Sequence, residues 1–313
     1  MVARPLPPDL TARVVFLDVL ARQFLETGRP WRVHSVFAHA CNLTDISGTL
    51  LGIVSAEAGN APATLMLRAG EPASPLNKLL ARGDPARPVG DTLQIGALRL
   101  DLAGAVLWSP APIVRTLRVP EVEARLALAA TFATTLAPAG GLAPLLADAI
   151  SLATGWAPGA ADQPAADRIV RRARELVSTL AGAIREQRWS DAYAPARALS
   201  GLGPGLTPSG DDLLAGLALG LRAARGSLPE PLAESVSSAI NGRTTDLAAA
   251  RVRHAVAGHP DERVHQLLGA LVTHAEIDLA ATVRALLAYG HSSGADTLVG
   301  LLVGVSLGLS AAA

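Results

Sequence analysis

Two hydrophobic patterns divide the chain. Between residues 31 and 108, apolar residues come in short β-branched or alternating runs broken by Gly, Pro or Asn. From residue 121 onward they recur at helical spacing in long Ala/Leu-rich stretches. The first pattern predicts strands over 31–37, 48–55, 64–68, 92–95, 97–101 and 105–108, forming an antiparallel sheet or a small barrel. The second predicts helices over 121–136, 142–152, 165–188, 211–225, 231–240, 245–257, 261–271, 276–289 and 295–309. An amphipathic helix over 8–25 precedes the strands and ends at Gly28-Arg29-Pro30. The Pro-rich piece 109–120 is the best internal boundary. The fold class is therefore α+β: a β-rich N-terminal domain, 1–120, with an initial helix, followed by a larger, mainly α-helical domain, 121–313.

Composition narrows the function. The 313 residues suffice for two domains with sizeable cores, half of them apolar and 3% aromatic. Lys plus Arg equal Asp plus Glu at 27 each, and no basic run or aromatic-interleaved basic stripe offers the footprint of a nucleic-acid binder. The single cysteine, Cys41, excludes an intrachain disulfide framework and a thiolate-rich zinc site. With no charged-then-apolar leader at the start, a cytoplasmic, reducing setting is expected. The apolar run 298–309 falls short of the ~20 residues that cross a bilayer, so it reads as a buried helix and not as an integral membrane segment.

One short pattern is stated twice. Ser209-Gly210-Asp211-Asp212-Leu213-Leu214-Ala215-Gly216 recurs, 84 positions later, as Ser293-Gly294-Ala295-Asp296-Thr297-Leu298-Val299-Gly300. A further glycine matches at Gly220 and Gly304. Each copy opens an apolar helix, with a capping serine, a glycine that permits close backbone approach and an acid in the first turn. Asp211, Asp212 and Asp296 suit the positive end of a helix dipole, or equally a cation that itself holds an anion. The glycines four apart lie on one helical face and leave a groove in which a neighbouring helix can settle. The pattern means either one site built from two similar halves or one packing device used twice.

The loop before the first copy, Gly201-Leu202-Gly203-Pro204-Gly205-Leu206-Thr207-Pro208, carries the strongest chemical signal. Gly203, Gly205 and Gly210 permit close contact with a small anionic ligand, while Thr207, Ser209 and the following amides supply donors. A rigid loop leading into a helix explains the same letters. The loop lacks the lysine of a phosphate-binding P-loop and the strand-helix unit of a dinucleotide fingerprint, so no nicotinamide, flavin or haem is expected. Mg²⁺ at Asp211, Asp212 and Asp296 is conceivable only if the three carboxylates converge.

GLGPGLTPSGDDLLAG at 201–216 and GHSSGADTLVG at 290–300 resemble the two signatures of the AllH family, which includes a subunit of oxamate carbamoyltransferase. The likeness extends to an amino-terminal motif, Ser35-Val36-Phe37-Ala38-His39-Ala40-Cys41-Asn42-Leu43. It implies carbamoyl transfer, with partner subunits and within purine catabolism, between carbamoyl phosphate and a small amide acid such as oxamate. A noncatalytic assembly or anionic-ligand-binding subunit, using the glycine-faced helices as an interface, is the alternative. In the catalytic scheme Thr207 and Ser209 position oxygen atoms, Asp211 and Asp212 organise donors or Mg²⁺, and Asp296 completes the opposite wall. Family members often carry Trp after the second motif's glycine, where this chain has Ala295.

Other residues carry weaker signals. His39 and Asn42 lie at a predicted strand-to-loop transition and reach the helical site only if the domains bring them there. Arg243 is placed to clamp an acidic substrate, with Thr244 and Thr245 as donors at a helix start, although a plain loop and N-cap accounts for the same residues. His291 precedes the second Ser-Ser-Gly turn, where it can bind substrate, donate a proton or support the cap. His254, His259 and His265 lack the spacing of a zinc motif. Cys41 has no evident base partner. Trp31, Trp108, Trp156 and Trp189 are too dispersed for an aromatic cage.

Overall fold

Alternation in the amino-terminal half closes a sheet on itself. The structure is a computed structural model that describes residues 10–155 and 168–310, divided into units Met1–Pro110 and Ala111–Ala313. In the first unit the strands are β1 (Leu10–Asp18), β2 (Trp31–Val36), β3 (Ala40–Thr44), β4 (Leu50–Val54), β5 (Thr64–Leu67), β6 (Pro85–Val89), β7 (Thr92–Ile95), β8 (Leu98–Asp101) and β9 (Val106–Trp108). Helices α1 (Val19–Glu26) and α2 (Leu76–Leu79) lie between them in sequence. The strand order is β5-β4-β3-β2-β6-β7-β8-β1-β9, and a pairing of β1 with β5 closes the ring. Inward residues such as Val14, Leu43, Ile53, Leu65, Leu93 and Leu100 fill the barrel. Trp31 joins this core, its ring centroid 6.3 Å from that of Phe24.

The expected sheet-or-barrel is present, with differences. Residues 10–18 form a strand, and the initial helix is confined to α1, which starts where Asp18 accepts from the amides of Leu20 (2.9 Å) and Ala21 (3.4 Å). The 8–25 run is apolar at both periods. Pairing of β1 with β5, β8 and β9 decides for the strand, because tertiary partners outweigh local preference. Not every pair is antiparallel: β1 runs parallel to β8 and β9, and β4 parallel to β5. Strands β3 and β6 were not foreseen; β6 opens on Pro85 and contains Pro88, both of which weaken its signal.

The second unit contains α3 (Val119–Leu136), α4 (Ala149–Thr154), α5 (Arg168–Arg185), α6 (Trp189–Leu199), α7 (Ser209–Arg225) and α8 (Glu230–Ala239). These are followed by α9 (Asp246–Ala257), α10 (Glu262–Val272), α11 (Leu279–Leu287) and α12 (Ser293–Ser310). Helix α6 escapes the pattern because Pro195 sits inside it. The expected 142–152 helix is split into a 3₁₀ turn, Ala143–Asp148, and α4. Trp156, and the start of the helix expected at 165, fall outside the described residues. The unit begins within the Pro-rich piece, since Arg115 and Thr116 donate their amides to Ala223 (3.1 Å) and Val272 (2.9 Å).

Helices α7 and α12 form the centre of this core and touch backbone to backbone. A Cβ added at Gly216 would fall on the carbonyl oxygen of Thr297, and one at Gly220 would stand 2.6 Å from that of Leu301. The contacts are reciprocal: Gly300 faces the carbonyl of Leu213, and Gly304 that of Leu217. Helix α12 is the one helix among the described residues long and apolar enough to cross a membrane, and 89% of it is buried inside the protein. Its apolar character is that of a core helix at the contact.

Gly300→Ala is expected to destabilise the protein by about 1–3 kcal/mol, because the new methyl must push two backbones apart. Gly182 in α5 has nothing within 4 Å of its Cβ position, so Gly182→Ala is expected to stabilise by ~0.5–1 kcal/mol. Urea unfolding of the two variants against wild type checks the opposite signs.

Candidate functional site

Close packing of α7 and α12 fixes where both helices start. Each begins with a glycine lodged against a carbonyl: Gly210 on Leu199 and Gly294 on Leu286. Their amides donate to Leu202 (2.9 Å) and Tyr289 (3.0 Å). The turns ahead of the helices are thereby locked, and the two amino termini lie side by side. The Thr207 and Ser293 hydroxyls, one from each motif, are 3.0 Å apart, and both residues are half-buried.

Three carboxylates sit beneath this rim in different surroundings. Asp211 accepts from the Ser200 hydroxyl (3.1 Å), the Gly201 amide (2.9 Å) and the Thr244 hydroxyl (2.8 Å). It ties the turn after α6 and the loop before α9 to the start of α7. Burial raises its pKa against the pull of those donors. Asp212, the repeat partner of Asp296, is fully buried and meets Arg251 Nε at 3.1 Å, with no hydrogen bond of ordinary geometry to either oxygen. Burial, with Asp296 adding to it, pushes Asp212 up to about 6 despite Arg251 and the Ser293 and Thr207 hydroxyls. Asp296 is also fully buried; Oδ1 accepts from the Leu142 amide (2.5 Å) and Oδ2 has no hydrogen-bond partner. Burial raises its pKa too, opposed by that amide and by the Ser209 and Ser292 hydroxyls. The serines therefore work crosswise: each helix's first hydroxyl favours the ionised acid of the other.

Arg251 on α9 is a central residue that the sequence pattern did not mark. Besides Asp212 it reaches Asp261 (3.4 Å), the Tyr289 hydroxyl (3.2 Å) and Thr297 Oγ1 (3.2 Å), and it stacks 5.0 Å from the Tyr289 ring centre. Burial opposes its charge, yet Tyr289, Asp212 and Asp261 raise its pKa. The second unforeseen element is the Gly140-Gly141-Leu142 turn. A Cβ at Gly141, whose φ is +52°, would strike the Asp296 carboxylate, so glycine lets the chain cover that acid. No local letter pairs position 251 with 212 or position 142 with 296, since these contacts arise only on folding.

The remaining expected residues divide. Thr244 and Thr245 join the site's support; Thr245 caps α9 through the Ala248 amide (3.1 Å) and donates to the Leu206 carbonyl (2.5 Å). Gly203 and Gly205 lie in the loop leading to the rim, whereas the Gly210 amide is already taken by Leu202. His291 is exposed, and a Cβ at Gly140 would stand 3.7 Å from its Nε2. Arg243 is exposed and approaches the site by its backbone, its carbonyl lying against Gly201. His39 and Asn42 belong to the barrel unit, where the His39 carbonyl accepts from Ser55 (3.0 Å) and Asn42 Nδ2 donates to Ser35 (3.0 Å). Burial, then Asp84, pushes the Cys41 thiol up to about 12, which suits a core residue and not a nucleophile. His254 is half-buried, and burial, then His259 and Arg253, lower it to about 4. Among the described residues no three His, Cys, Asp or Glu side chains gather as metal ligands. The three-carboxylate Mg²⁺ arrangement is not assembled, because protein donors hold Asp211.

An α+β protein with paired Ser-Gly helices over buried carboxylates is the class these observations define. The chain belongs to the AllH family: the family model described as oxamate carbamoyltransferase subunit AllH matches residues 199–305, and the AllH family N-terminal domain matches residues 9–107. The first match spans both motifs, and the second spans the barrel. No solved structure matches the chain. Family membership makes the chain a component of a carbamoyltransferase-type enzyme.

The raised pKa of Asp212 has a definite sign in stability. Between its ordinary value of 3.8 and about 6 the folded state binds more protons than the unfolded state, so its contribution to stability falls as pH rises through that window. Urea unfolding of wild type and Asp212→Asn from pH 4 to 8 is expected to show a stability difference that moves against wild type between pH 4 and 6 and then levels. A pH-independent difference would refute this environment for Asp212.

Proposed function

We propose that the chain is the subunit that holds oxamate, or a closely related small amide acid, at the joined amino termini of α7 and α12 during transfer from carbamoyl phosphate. Partner subunits complete the enzyme. The observation that carries this reading is the Thr207–Ser293 contact, which joins the two family motifs in one partly open polar rim over ionisable groups. Transfer requires the acceptor's amide nitrogen to bond to the carbamoyl carbon while the carbon–oxygen bond to phosphate breaks and the nitrogen loses a proton. Orientation of the two reactants supplies much of such a rate. In this reading the rim hydroxyls, the Gly203–Gly205 loop and the exposed His291 contact the small anionic ligand, with the exposed Arg243 side chain supplying charge from the neighbouring loop. Asp211, Asp212, Asp296 and Arg251 hold that rim from below. The alternative of a purely assembling subunit is less well supported, because the glycine faces on which it relied are taken up between α7 and α12 within the chain. A cytoplasmic setting belongs to the same proposal, consistent with a lone, buried, unpaired Cys41.

Carbamoyl transfer from carbamoyl phosphate to oxamate, measured for the chain alone and with its partner subunits, is the deciding assay. Turnover in the complex is expected, and Thr207→Val or Ser293→Ala should lower kcat/KM by roughly tenfold or more, the effect of one lost substrate hydrogen bond, with little change in unfolding. Full turnover in both variants would overturn the assignment of the rim.

A further inference from the structure

The hydrogen count at the rim restricts what part of a ligand it accepts. Thr207 and Ser293 together own two hydroxyl hydrogens. One closes their mutual 3.0 Å contact. The other is left for Asp212, whose ionised form both hydroxyls favour; this buried acceptor has Arg251 on one oxygen and no hydrogen bond of ordinary geometry on either. A buried carboxylate short of donors claims the hydrogen within reach, because leaving its lone pairs empty costs more than turning a hydroxyl. With both hydrogens pointing inward or to each other, the solvent side of the pair presents only lone pairs. Resting on the rim being the ligand site, we propose that the Thr207–Ser293 pair is an acceptor that selects the N–H₂ end of an amide or carbamoyl group, leaving the ligand's anionic end to other contacts.

The groups that face Asp212 set the condition for this selectivity. Arg251 approaches from α9, and Asp296 from α12; behind Arg251 stand Asp261, at the start of α10, and Tyr289. On its own helix, Asp211 is turned to Ser200, Gly201 and Thr244. Arg251 favours the ionised form of Asp212, and the ionised form keeps the rim an acceptor. Protonated Asp212 supplies a hydrogen of its own, which releases a hydroxyl hydrogen toward the ligand. Selectivity for N–H over oxyanion therefore weakens as pH falls through the range where Asp212 takes up a proton.

Oxamate and oxalate provide the probe pair, since they differ by NH₂ against an oxyanion at one end. Calorimetric titration of the full chain, alone and assembled with partner subunits, is expected to show oxamate binding about tenfold or more tighter than oxalate at pH 8. The ratio should shrink at pH 5, and also in Ser293→Ala and Thr207→Val, with unfolding midpoints recorded to separate misfolding from lost contact. Oxalate binding as tightly as oxamate at pH 8, or a ratio indifferent to pH and to both substitutions, overturns the acceptor assignment alone. Binding of neither probe, with or without the partners, overturns the ligand-site reading on which it rests.

Discussion

The arrangement of buried acids and paired hydroxyls in this protein depends on two helices touching at their backbones. Side chains on both faces normally keep packed helix axes 8–10 Å apart, and glycine at matched positions removes that spacer. Gly216 and Gly220 meet Thr297 and Leu301, and Gly300 and Gly304 return the contact to Leu213 and Leu217. Because the four contacts are reciprocal, sliding or rotating either helix breaks more than one of them. That constraint brings the first turns of α7 and α12 into register, so that Ser209 serves Asp296 and Ser293 serves Asp212. A methyl in the seam would therefore disturb the rim, two turns away, as well as the core.

Burial of three acids so close together opposes folding, and the surroundings offset it unequally. Asp211 is answered by three donors and behaves as a structural tie. Asp212 is answered by a charge, and Asp296 by one amide at one oxygen. Arg251 is itself held by Asp261, Tyr289 and Thr297, which limits the geometries it can adopt. Its position is thus set by elements remote from the acid it supports. Half-answered buried charge is costly in a core built only for stability, and the ligand-site proposal gives its presence beneath Thr207 and Ser293 a reason.

What the sequence disclosed follows from which features are local. Helices α7, α9, α10 and α12 were legible because apolar spacing and caps lie within a few residues of each other, and the seam was legible because its glycines repeat four apart in two matched copies. Strands β1, β3 and β6 were less so: β1 is settled by partners on both sides, and the prolines of β6 suppress its pattern. The pairing of motifs was readable from the offset of 84, which matches Ser209 to Ser293 and Asp212 to Asp296, whereas Thr207, whose counterpart is His291, stood out only as a donor in the glycine loop. Arg251 and the Gly140–Gly141 turn were not, since nothing in their own neighbourhood distinguishes them from other arginines and turns. Arg243 attracted notice by its loop, but its carbonyl and not its guanidinium makes the contact with Gly201.

The departures from symmetry give the site a direction. Offset by 84, Asp211 corresponds to Ala295, so the carboxylate that ties the start of α7 to Ser200, Gly201 and Thr244 has no counterpart at that position of α12. Asp212 corresponds to Asp296, yet one meets a guanidinium and the other a backbone amide beneath a glycine turn. Two identical halves would offer a small ligand the same contacts in either orientation. Unequal halves do not: the side of Arg251 carries fixed positive charge below the rim, whereas the side of Leu142 is closed by chain. For the proposed ligand, with an amide at one end and a carboxylate at the other, orientation comes only from such inequality, so under that proposal the divergence of the second copy is what converts a packing repeat into a polarised site.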